Sequence, residues 1–488
     1  MSRSAVTGSA AEGRARSMSM SQSPRRAVVL LAVLSLLLAG CAQVITGRGS
    51  TSDAVRPNVK PSDLKIVGST DQEIDTLARN ALADLNDFWS QAYPAVYGSP
   101  WKPLTGGYYS VDPGNYDASV YPDNVGCFSS PDDVAGNAFY CFPQQSGGGD
   151  DIVYDRTLLE SLATDYGRFI PALVMAHEFG HAVQARTAPP SNLSIVFETQ
   201  ADCFAGAWTA WVADDKAKHF LVRPSELDDV LRGYLLLRDR PGSGPSDNGA
   251  HGSYFDRVSG FQEGFDNGAA ACKDNFNDQR VFTQAPFATQ ADLNANGNAP
   301  YDAPTGSLFE IARTTLDQFW KSSFTDVFGK QWSAPALQPF EGAIPRCGGD
   351  RQRREVTYCA ADNRVDYDNS QLIPKVYDDI GDFGVVTLLA IQYATAARNQ
   401  LGLDYRGESA LRSSICLTGW YAGRFLLDGN SLGATISPGD FDEAVQVLLE
   451  YGSKSSVLPD VGLSGFQLID LFRQGFLRGA SACDVGVA

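Results

Sequence analysis

At 488 residues, 43% of them apolar, the chain is long enough for two or three domains with buried cores and too apolar for a disordered protein. Its formal charge of −18 argues against binding nucleic acid or anionic lipid through a basic face.

The first predicted element is an export signal over residues 1–41. Arg25 and Arg26 lead into "AVVLLAVLSLLLAG", an apolar run too short to span a bilayer comfortably, and Cys41 follows. "LAGC" (Leu38 to Cys41) resembles the lipobox of bacterial lipoproteins, in which the cysteine is lipidated. The expectation is an exported chain held at the outer face of the cell membrane through lipid on Cys41, or secreted. Translation could start at Met1, Met18 or Met20. Residues 42–70, polar and rich in Gly, Ser, Thr and Pro, read as a flexible tether.

Beyond the tether the chain repeats itself. "DFWSQAYPAVYGSPW" (Asp87 to Trp101) matches "QFWKSSFTDVFGKQW" (Gln318 to Trp332) without a gap, and "CFAGAW" from Cys203 answers "CLTGWY" from Cys416. "GFQEGFDNGAAAC" ends at Cys272 as "GFQLIDLFRQGFLRGASAC" ends at Cys483. An ordered series of matches with four cysteines kept predicts two homologous domains, 71–283 and 305–488, joined by a linker over 284–304. "DLNANGN" within that linker lacks the closing glutamate of a calcium loop and reads as turns. In an oxidising compartment the eight remaining cysteines suggest four disulfides. Pairs Cys127–Cys141, Cys203–Cys272, Cys347–Cys359 and Cys416–Cys483 keep each repeat self-contained.

The segment 168–186, "RFIPALVMAHEFGHAVQAR", predicts a helix with Pro171 in its first turn. Helical geometry stacks His177 and His181 on one face, where both imidazoles can bind one metal ion, and sets Glu178 to the side. That position suits a general base acting on an activated water. Buried without a partner, two imidazoles and a carboxylate would be costly in an apolar helix. A third ligand is needed. "FETQADCFAGAW" (Phe197 to Trp208) offers Glu198 for the metal, and Asp202, one turn on, to hold a ligand histidine through its second nitrogen.

These motifs, with "HGSYFDRVSGFQEGF" (His251 to Phe265), resemble a bacterial family of "putative neutral zinc metallopeptidases", which carries HExGHHVQ, ELQADCxAGxW and HGTSxxRxxxFxxGF in this order. The resemblance covers most of the first repeat. It implies an α+β zincin-like domain with the zinc between two central helices beside a small sheet. It also implies His177, His181 and Glu198 as Zn2+ ligands, Glu178 as the base and His251 as a stabiliser of the oxyanion. Ala182 and Ser253 depart from the pattern without touching a ligand, and "CFPQQSGGGDDIVYD" departs more.

The second repeat sets "LLAIQYATAARN" opposite "VMAHEFGHAVQA". His177 then meets Ile391, Glu178 meets Gln392, His181 meets Thr395, Glu198 meets Leu411 and Asp202 meets Ile415. The expectation is a metal-free pseudo-peptidase domain that packs, presents substrate or binds an envelope protein partner. The whole chain reads as an exported zinc metallopeptidase acting on protein or peptide substrates. The alternative is an envelope adaptor with a structural zinc, in which protein fills the metal's fourth position.

Overall fold

The computed structural model describes residues 54–122, 127, 130–144, 148–427 and 432–487. The export signal, Cys41 and the first part of the tether lie outside them. No helix among the described residues is long and apolar enough to cross a membrane.

The first half opens with α1 (Glu73–Tyr97), whose Leu77, Ala81, Leu85 and Phe88 recur on one face and are buried. Strands β1 (Gly107–Val111), β2 (Ala138–Cys141) and β3 (Asp151–Asp155) follow, in spatial order β1-β3-β2. β1 runs parallel to β3 and β2 antiparallel to it, which leaves β2 on an edge. Asp155 ends β3 and caps α2 (Arg156–Tyr166), its carboxylate accepting from the N–H groups of Thr157 and Leu158. Four longer helices complete the half: α3 (Ile170–Gln184), α4 (Ser194–Ala213), α5 (Pro224–Leu237) and α6 (Tyr254–Asn275). α3 carries the HEFGH motif and is buried over most of its circumference, as its continuous apolar run dictates.

After a short helix, α7 (Gln290–Asn294), the second half runs through the same order of main elements, with one hairpin added. α8 (Leu308–Asp326) precedes β4 (Ala336–Phe340), a small hairpin of β5 (Arg346–Cys347) and β6 (Asp350–Arg351), β7 (Val356–Cys359) and β8 (Arg364–Asp368). The main sheet has the order β4-β8-β7, again with one parallel and one antiparallel pair and with β7 on an edge. Helices α9 (Leu372–Asp379), α10 (Asp382–Leu401), α11 (Glu408–Leu427), α12 (Asp440–Tyr451) and α13 (Gly465–Arg478) then correspond in order to α2–α6. The fold class is α+β, as the sequence implied.

All four expected disulfides are formed. Cys203–Cys272 ties α4 to α6, and Cys416–Cys483 ties α11 to the turn beyond α13. Both helix pairs meet backbone to backbone. A Cβ added at Gly264 would lie 1.8 Å from the Cys203 carbonyl oxygen, and one at Gly475 would lie 1.7 Å from that of Cys416.

Two features differ from the sequence reading. Residues 54–70 lie along the body, although they read as tether. The Val67 N–H donates to the Tyr108 carbonyl, the Ser110 N–H donates back to Val67, and Leu221 donates to Ala54. These backbone groups find partners that composition does not reveal. The halves also share one continuous hydrophobic core. Phe255 of α6 packs on Phe441, Phe472 and Phe476, Gln262 donates to the Phe466 carbonyl, and Asp228 accepts from the N–H groups of Gly465 and Phe466. Each half leaves an apolar helix face that the other covers.

Candidate metal centre

Three helices build the site: α3 carries His177, Glu178 and His181, α4 carries Glu198 and Asp202, and α6 carries Arg257. The α3–α4 crossing is close because Gly180 faces Ala201, where a Cβ would stand 2.8 Å from the Ala201 Cα. That approach lets the Glu198 side chain reach both imidazoles. Its carboxylate oxygens lie 3.2 Å from His177 Nε2 and 3.6 Å from His181 Nε2. One ligand atom from each of the three residues falls within 4.8 Å of the others.

The supporting hydrogen bonds fix which nitrogen faces the centre. His177 Nδ1 lies 2.8 Å from Asp202 Oδ1, and a carboxylate can only accept, so Nδ1 carries the proton. His181 Nδ1 lies 2.8 Å from Gln184 Oε1. The Gln184 amide nitrogen is committed to the Phe197 carbonyl at 2.8 Å and to Gln200 Oε1 at 3.0 Å, so its oxygen must face the ring. Both rings are thereby held with Nε2 turned toward Glu198, where a metal ion replacing the Nε2 proton would meet the lone pair. This is how metal-bound histidines are usually supported. Two imidazoles and one carboxylate converging from one side suit zinc, and leave a further coordination position.

Asp202 is fully buried, and Arg257 balances it. The guanidinium grips both carboxylate oxygens at 2.8 Å and donates onward to the Leu237 carbonyl. Burial would raise the Asp202 carboxyl, but Arg257 and His177 outweigh it and hold it below its ordinary value. Burial likewise lowers the His177 imidazole, yet Asp202 and then Glu198 lift it to about 10. For Glu198 burial is opposed by hydrogen bonds and charge from both histidines, and the carboxyl falls well below its usual range. Glu178 goes the other way: burial raises it, only partly offset by the two imidazoles. Its Oε2 accepts from the Tyr140 backbone N–H of β2 at 2.8 Å, which points the carboxylate along the sheet edge.

A cleft of about 550 Å³ opens over these groups, with Glu178, His177, His181 and Glu198 in its wall together with β2 residues 138–140. His251 lines the same cleft at its exposed side, with Nδ1 3.3 Å from Asp239 and its backbone N–H also on Asp239. The structure thus brings His177, Glu178, His181, Glu198 and Asp202 together and puts His251 on the shared wall. Sequence reasoning assigned no role to Gln184 or Arg257. The signal for Gln184 was its place one turn after His181. Arg257 stands at the fixed arginine of the HGTSxxRxxxFxxGF pattern, but nothing local names its partner, which lies 55 residues away.

In the second half, Ile391, Gln392, Thr395 and Leu411 line a separate cleft of about 440 Å³. Gln392 Oε1 accepts from the Tyr358 N–H of β7 at 3.0 Å, the contact that Glu178 makes with Tyr140. Among the described residues no histidine stands near it, since the last in the chain is His251.

Comparison with known proteins yields one family model, described as "Putative neutral zinc metallopeptidase", which matches residues 2–276. An uncharacterized Escherichia coli protein, YpfJ, is 29% identical over 154 residues, covering 27% of this chain and 52% of the relative. An uncharacterized Mycobacterium tuberculosis protein is 26% identical over 200 residues, covering 36% of this chain and 66% of the relative. The chain therefore spans about half the length of the E. coli relative it matches. No solved structure matches it significantly.

Proposed function

Since the chain belongs to this neutral zinc metallopeptidase family, we propose that its first half is a zinc-dependent peptidase of zincin-like architecture that hydrolyses peptide bonds of protein or peptide substrates. The observation that carries the reading is the convergence of two imidazoles, each fixed by its second nitrogen, on the Glu198 carboxylate, with Glu178 beside them in an open cleft. His177, His181 and Glu198 would hold the metal. Zinc, when bound, supplies Lewis acidity that polarises a carbonyl and acidifies water.

The chain's own residues do the rest. Glu178, raised by burial and held by the Tyr140 N–H, takes the proton of the attacking water and passes it to the leaving amine. Asp202 and Arg257 hold His177 in one tautomer through the reaction, and Gln184 does the same for His181. His251, on the cleft wall, stabilises negative charge on the carbonyl oxygen. Edge strand β2 offers an extended substrate a place to lie.

The two halves derive from a tandem duplication, supported by the matched order of elements, sheets and disulfides. The second has become a non-hydrolytic arm. Export and anchoring through Cys41 complete the proposal and rest on the signal-like segment alone.

The test is hydrolysis of an unfolded protein such as casein by the purified chain, with and without chelator, beside a Glu178→Gln variant. The variant should keep its zinc and lose hydrolysis by a factor of about a hundred to ten thousand. Full activity in Glu178→Gln overturns the mechanism. A zinc-bearing but inert wild-type chain supports instead an envelope adaptor with a structural metal.

A further inference from the structure

The cleft in the second half is not an inert scar. Four arginines line it, Arg351, Arg353, Arg354 and Arg406, against a single acid, Asp350. In a chain of net charge −18 this is a local reversal of sign. Among the described residues no carboxylate pairs with any of the four. Arg406 lies over the Tyr405 ring at 5.2 Å, and the half-buried Arg354 has an Nε without any hydrogen-bond partner. Unpaired guanidinium groups converging on one concavity raise its potential and favour anionic ligands, more strongly there than on an open surface.

The shape narrows the ligand further. β7 is an edge strand, and its Thr357 and Tyr358 form one wall. Ile391 and Leu411, standing where the first half has His177 and Glu198, give that wall an apolar neighbour. An edge strand beside apolar and cationic side chains suits an extended chain that alternates acidic and apolar residues. Burial holds the Arg354 guanidinium below its ordinary value, and no acid lifts it, so a bound carboxylate would supply the missing partner.

We propose that the second-half cleft binds an acidic, extended polypeptide segment through Arg351, Arg353, Arg354 and Arg406 and, having no metal ligands, does not cut it. The proposal deepens the reading of this half as a non-hydrolytic arm and rests on that reading for the absence of cleavage. It makes the chain a two-site protein, with one cleft that holds and one that hydrolyses.

The experiment uses the full chain carrying Glu178→Gln, so that hydrolysis does not consume the probe. Fluorescence anisotropy is measured with a capped, dye-labelled peptide alternating Glu and Leu, with its Lys and Leu counterpart, and with a single-stranded oligonucleotide of equal charge. The Glu peptide should bind, weaken as salt screens it, and lose about tenfold or more in affinity with Arg353→Glu and Arg406→Glu together. Both positions are exposed, so an unchanged melting midpoint separates lost binding from lost fold. Equal binding of Glu and Lys peptides overturns the proposal, as does indifference to the double variant or tighter binding of the oligonucleotide. Should binding follow the arginines while the wild-type chain hydrolyses nothing, the peptidase reading alone falls.

Discussion

The two clefts sit on the same order of helices and strands, and they differ in how charge is handled. In the first, Asp202 and Arg257 form a buried, doubly hydrogen-bonded pair behind His177. The glycine contacts that align α4 with α11 and α6 with α13 set Ile415 and Leu468 in the corresponding places, both fully buried. A buried ion pair is often no more stabilising than apolar residues of similar volume. The fold itself has no need of Asp202 and Arg257, and in the second half apolar side chains fill the space. Their presence in the first half therefore points to the histidine they hold. The same comparison explains Gln392, which keeps the hydrogen bond of Glu178 to the sheet while lacking a carboxylate.

Four experiments would break or sharpen this contrast. His181→Ala should remove bound zinc and all hydrolysis, while Thr395→Ala, its counterpart, should leave both unchanged; metal content and peptide cleavage are the readouts. Arg257→Ala strands a buried carboxylate and should lower stability by about 3–5 kcal/mol in denaturant unfolding. Copying the second half with Asp202→Ile and Arg257→Leu should recover most of that stability yet weaken zinc binding by about 10- to 100-fold in chelator competition. If the double variant binds zinc as the wild type does, the pair is structural and the contrast fails.

The smallest effect tests whether the halves melt as one. Asp266 of α6 contacts Arg473 of α13, and burial together with Asp470 raises its carboxyl to about 7. An acid raised on folding contributes fully below its unfolded value of about 4, and that contribution is lost as pH rises through about 7. Asp266→Asn should flatten this pH dependence, a change of about 1 kcal/mol or less given the group's partial exposure. A thermal scan across that window should show one transition that moves as a whole. Two transitions, with only one moving, would mean that the halves are energetically separate.

Much of the site was legible in the sequence because its signals are local. The i, i+4 spacing placed His177 with His181 and Glu198 with Asp202 on the faces where they stand, and helical geometry set Glu178 to one side. What escaped was partner choice across the fold. Arg257 meets Asp202 only because α6 packs along α4, and no periodicity announces that. The shared core escaped for a related reason. The apolar stripe of α6 shows that its face is buried, but not that Phe441, Phe472 and Phe476 of the other half bury it. Residues 54–70 were misleading because polar composition resembles tether, while their order comes from backbone groups that composition does not describe.

Gly180, inside the HEFGH motif, has one more consequence. With no side chain there, α3 and α4 touch at Ala201, and the repeat places Ala394 at the equivalent point of α10. Grafting His, His and Glu onto 391, 395 and 411 would meet a methyl group where the first half has none. If the halves arose by the duplication proposed above, decay would then behave as a ratchet: once the gap between the helices is filled, restoring the metal-binding side chains alone would not restore the chemistry. A triple graft that gained zinc without Ala394→Gly would show that the door is still open.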